Sequence, residues 1–137
     1  RAAREFKAPT AVQLAAVGSL PEVAPTPSLV DAMVAMDEHF DWLKKTQKAG
    51  WKTPPGQGDI SPAHEATMVW EQLRELARTP DTAKRPDDYR QKLAAAERAA
   101  ADLRARLAKP AEAPALDAAF KQFTQTCAAC HKKYRNE

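Results

Sequence analysis

"PALDAAFKQFTQTCAACHKKYR", residues 114–135, carries six stripe residues at alternating spacings of four and three: Leu116, Phe120, Phe123, Cys127, Cys130 and Tyr134. That is the period of one face of an amphipathic helix. Two of the six positions are the only cysteines in the 137-residue chain, and His131 follows the second at once. Residues at i, i+3 and i+4 share a helix face, so Cys127, Cys130 and His131 point the same way, toward a packed interior or its edge.

Working outward, three more segments keep the helical period. Residues 28–49 place Leu29, Met33, Met36, Phe40 and Leu43 on one face. Ser28 suits the N-cap, Lys44, Lys45 and Lys48 suit the last turn, and Gly50 suits the position just past the end. After a loop at 52–59, "KTPPGQGD", a second helix starts at Ser61 with Pro62 in its first position. Ala66, Val69, Leu73 and Leu76 form its stripe, Trp70 sits at its edge, and it ends near Thr79-Pro80. The third, residues 87–108, carries Tyr89, Leu93, Ala96, Ala100, Leu103 and Leu107. Four amphipathic helices joined by short loops predict an all-α fold, an antiparallel four-helix bundle over residues 28–137. Ahead of it, residues 1–27 read as an N-terminal arm. Its "LPEVAPTPS" stretch is too rich in proline for regular helix and is expected to be extended.

Composition fits one ordinary globular domain: 44% hydrophobic, 28% charged, net charge +3. No apolar run is long enough to span a membrane. The mild basicity suits an acidic partner, but without a basic stripe or a recognition motif it does not point to nucleic acid.

C-x-x-C-H is the attachment signature of c-type haem. Each thiol adds to one vinyl group of the porphyrin, and the adjacent imidazole becomes the proximal iron ligand. The competing readings are weaker. A disulfide between cysteines three apart on a helix has poor geometry. A thioredoxin-like pair needs a preceding strand, and none is predicted. A zinc site lacks a fourth ligand, since His39 and His64 stand apart from the motif.

With the motif on the last of four helices and "CAACHKKYR" following it with two residues, an aromatic and an arginine, residues 28–137 resemble the class II cytochromes c, the cytochrome c′ family and its low-spin relatives. The resemblance implies one covalent haem c, held by Cys127, Cys130 and His131. It implies a periplasmic protein and, in many members, a homodimer through the first two helices. The sixth iron position decides function. Methionine there makes a low-spin haem suited to electron transfer; an apolar residue leaves a five-coordinate haem that binds NO or CO. The candidates are Met33, Met36, His39, His64 and Met68. His64 and Met68 share a face with Glu71 and Glu75 and are expected to face water. "MVAMDEHF", residues 33–40, is similar to the family's first-helix stretch, and Met33 falls on its distal position, with Met36 as the fallback. Many members carry a basic residue one turn earlier, where this chain has Leu29. Arg135 is then the matching residue for a haem propionate, with Lys132 and Lys133 beside it.

The expectation is a one-electron carrier that is not itself an enzyme, with the NO/CO-binding type as the alternative. Lys132, Lys133 and Arg135 would steer acidic redox partner proteins to the haem edge.

Overall fold

Helices begin and end in this chain where its capping residues stand. A computed structural model describes residues 8–18 and 23–136. Its elements are α1 (Ala11–Ala16), α2 (Leu29–Lys48), α3 (Pro62–Ala77), α4 (Pro80–Lys84), α5 (Asp87–Leu107) and α6 (Ala113–Tyr134). The described residues contain helices and no strand. The four long helices are those the periodicity predicts. The two short ones were not expected.

Thr10 caps α1 with a reciprocal Gln13 contact, yet α1 buries none of its residues. α4 restarts the chain after α3: Thr79 accepts from the Thr82 N–H at 3.1 Å, and Pro80 follows at N1. The Pro-rich stretch expected to be extended is described from Val23 onward; residues 20–22 lie outside the described residues. From Val23 to Ser28 it is non-helical, and the Ala24 carbonyl accepts from Arg78 Nη2 at the end of α3.

α2 starts as expected. Ser28 Oγ accepts from the Asp31 N–H at 3.1 Å. Its other end is a Schellman motif: Gly50 N–H donates to Gln47 O, and Trp51 N–H donates to Thr46 O at 2.7 Å. Gly50 has φ +69° and Trp51 has φ +62°. A left-handed conformation costs a side-chain-bearing residue about 1 kcal/mol. What holds Trp51 there is its indole: the ring meets Phe120 edge-on at 5.6 Å, and Nε1 donates to Asp117 Oδ1 at 3.0 Å. At α3, Ser61 occupies the N-cap but makes no side-chain cap; Pro62, with its preset φ, opens the helix.

The long helices run alternately up and down. α3 packs on α2 and α5, and α6 packs on α5. The predicted stripes form the common core: Leu43, Val69, Leu76, Leu103 and Phe123 are almost wholly buried. Across α2 and α3 a partly buried His39 Nδ1 meets the buried Glu65 carboxylate at 2.6 Å. Trp70 lies between the guanidinium groups of Arg74 and Arg104, at 4.7 and 4.2 Å from its centroid. α2 and α6 close the bundle through side chains: Phe40 contacts Phe120 at 5.3 Å and Phe123 at 6.0 Å, and Gln47 Nε2 donates to Asp117 at 2.9 Å.

The left-handed Trp51 gives a sharp stability test. Trp51→Ala loses the ring while keeping the strained backbone, and is expected to cost about 3 kcal/mol. Trp51→Gly loses the same ring but relaxes the backbone, so its urea-unfolding stability should exceed that of Trp51→Ala by about 1 kcal/mol. Equal stabilities would mean that the ring, not the backbone, carries the whole effect.

Candidate haem-attachment site

The α2–α6 contacts fix the register of two antiparallel helices. Seven residues are two turns and return to nearly the same direction, drifting about 20°. Met33, Phe40 and Gln47 therefore form one column on α2, and its lower two members touch α6. On α6, Asp117, Thr124 and His131 form the corresponding column, and Asp117 meets Gln47. Phe120, Cys127 and Tyr134 form the next column, with Phe123 and Cys130 beside it. Carrying the register upward from Phe40 and Phe120 at 1.5 Å per residue brings Met33 level with the Cys127–His131 segment.

Met33 is half-buried and packs against the core, whereas Met36 is a core residue, 9% exposed. His39 lies further down α2 and is engaged by Glu65. His64 is exposed, as expected. Met68 is half-buried rather than water-facing: Glu65, three residues before it on the same flank of α3, meets His39 of α2. Trp51 is at the opposite end of the seam, level with Asp117.

Cys127 and Cys130 are free thiols, each half-buried against the core. Burial pushes the Cys127 thiol up to about 11. Burial raises Cys130 as well, with Lys92 acting against it. Redox-active pairs have depressed thiol pKa values, so these thiols lack the character of a thioredoxin-like site. No group of three or more His, Cys, Asp or Glu side chains able to hold a metal ion occurs among the described residues. Two protonated thiols and an adjacent exposed imidazole on one helix edge fit the two thioethers and the proximal ligand of haem c.

Around this segment the charges are arranged by a residue that the sequence reading passed over. Asp88, in the first turn of α5, gathers three donors: Lys133 Nζ and Tyr134 Oη at 2.8 Å each on one oxygen, and Lys92 Nζ at 3.2 Å on the other. The Tyr134 ring meets Tyr89 edge-on at 5.2 Å. The hydrogen bonds from Lys133 and Tyr134 hold the Asp88 carboxyl well below the ordinary carboxylate range. In the sequence the only signal was an acidic residue in a first helical turn, which the helix dipole explains by itself. Lys132 and Arg135 are exposed.

Because the folded carboxyl of Asp88 is depressed, its stabilising effect is complete above the unfolded value of about 3.9 and is lost as pH falls through the folded value. The urea midpoint of Asp88→Asn should therefore lie below that of the parent by a constant amount at neutral and mildly acidic pH. The gap should narrow only once pH drops under about 4. A gap that stays constant into strong acid would show that the carboxylate charge is not what Lys133 and Tyr134 hold.

A family model described as Cytochrome C' matches residues 31–135. No curated protein and no solved structure matches the chain.

Proposed function

Since the chain belongs to the cytochrome c′ family of c-type haem proteins, we propose that it is a single-haem, one-electron carrier in which His131 and Met33 would hold the iron. One observation carries this reading. Met33 stands on the α2 column that faces α6, level with the C-x-x-C-H segment, and is half-buried. Met36, deeper in the core, serves as packing. The haem iron, when bound, supplies the reversible one-electron chemistry. The chain's own residues would tether the ring through Cys127 and Cys130, present the His131 imidazole from the edge of α6, and offer the Met33 thioether from across the seam. Arg135, exposed at the end of α6, is the proposed propionate partner.

In this reading the protein is not an enzyme. It passes electrons between larger proteins, and the exposed Lys132 and Arg135 favour acidic partner surfaces near the ring. It works in the periplasm, where c-type haem is attached in bacteria; none of its described helices is long and apolar enough to cross a membrane. Val30 and Val34, exposed on the outer face of α2, support pairing of two copies through α2 and α3.

Absorption spectra of the oxidised and reduced protein test the ligand set. The ferric form should be low-spin, with the weak near-infrared band of methionine ligation. Met33→Ala should abolish that band and Met36→Ala should keep it. A high-spin ferrous spectrum in the parent that shifts on adding carbon monoxide would instead assign the five-coordinate, gas-binding role.

A further inference from the structure

We infer that Asp88 is a positioning residue for the His131 imidazole: through Tyr134 and Lys133 it fixes the rotation and height of the last turn of α6, from which that imidazole projects. The inference rests on His131 being the proximal ligand. Metal-bound histidines are usually oriented by a hydrogen bond to the far ring nitrogen from a carboxylate or carbonyl. Among the described residues none hydrogen-bonds the His131 ring, which is exposed. Its direction is then set by the backbone that carries it, and that backbone is a final helical turn, the part of a helix that frays most readily.

Here the fraying turn is tied down from a different helix. Tyr134 lies three residues beyond His131, on the adjacent column. Its hydroxyl donates to Asp88 Oδ2, and its ring rests on Tyr89. Lys133 donates to the same oxygen, and Lys92, one turn along α5, donates to the other. Phenylalanine at 134 would keep the ring contact and lose the hydrogen bond. Tyrosine makes the tie directional, because hydroxyl and carboxylate meet only over a narrow range of helix rotation. At the other end of α6, Asp117 is held by Gln47 and Trp51. α6 is thus pinned by a carboxylate contact at each end, and the cysteines and His131 lie between the two pins.

The experiment uses the haem-loaded protein. In the ferric form, the hyperfine-shifted proton NMR signals of the axial histidine report the orientation of its ring, and the midpoint potential reports its bond to iron. Asp88→Asn should shift both. Tyr134→Phe, which leaves every charge in place, should shift the hyperfine pattern in the same direction and by less. Asp88→Glu should bring the pattern part of the way back. Arg106→Ala, which removes an exposed ion pair with Asp102 on α5, should leave the pattern unchanged. His131→Gly, with added imidazole restoring the ligand, establishes the proximal role separately. If that role holds while Asp88→Asn and Tyr134→Phe both leave the hyperfine pattern of the parent, Asp88 does not position the imidazole. If His131→Gly leaves the spectrum intact, the ligand reading itself fails. Should Asp88→Asn not take up haem, Tyr134→Phe alone decides.

Discussion

Phe120 is held between Phe40 of α2, at 5.3 Å, and Trp51 just beyond the end of α2, at 5.6 Å. The rest of the site depends on that clasp. α2 and α6 are far apart in sequence and meet mainly through these rings and the Asp117 hydrogen bonds. A slip of one residue along α2 would turn its side chains by about 100° and shift them by 1.5 Å. The column that ends in Met33 would then no longer face α6. Edge-on and tilted aromatic contacts tolerate such a slip poorly, since they depend on ring geometry as well as burial. The left-handed backbone of Trp51 is the local cost of this fit, and its position where α2 ends explains why it is accepted there.

α6 divides its labour along its length. Leu116, Phe120 and Phe123 are buried and do structural work, while Cys127 and Cys130, on the same stripe, are only half covered. Beyond them burial resumes at Tyr134 and electrostatics joins it. Asp88 draws Lys133 and Tyr134 onto the start of α5, where its negative charge also complements the helix dipole. The last turn therefore stays ordered without sinking His131 into the core.

Much of this was legible in the sequence. The four-three spacing of each stripe located the long helices, because burial on one side of a helix imposes that period. Ser28, Pro62 and Gly50 marked ends through local backbone chemistry. The C-x-x-C-H motif was readable because thioether attachment demands that spacing. What stayed hidden depended on partners distant in sequence. Asp88 looks like any first-turn acid until Tyr134 is brought to it. His39 looks like a spare ligand until Glu65 meets it across the α2–α3 seam. Gly50 announced a left-handed residue, but nothing local announced the second one at Trp51. Period tells which residues share a face; only packing tells how far that face is rotated toward each neighbour, which is why Met68 is more covered than its polar flank suggested.

The two ends of the α2–α6 seam also differ in what they leave uncovered. At the aromatic end, Phe40, Phe120, Phe123 and Trp51 close on one another. At the other end, Leu29, Met33, Cys127 and Cys130 pack against the core on one side and are only partly covered on the other. These are apolar or weakly polar groups, and covering them contributes roughly 25 cal/mol for each Å² removed from water. A flat, largely apolar ring held by the two cysteines is well suited to that role, since it would take the place that aromatic side chains fill at the opposite end. The cofactor would then complete the core as well as carry the chemistry, so the ligand arrangement proposed for Met33 would also favour the folded bundle.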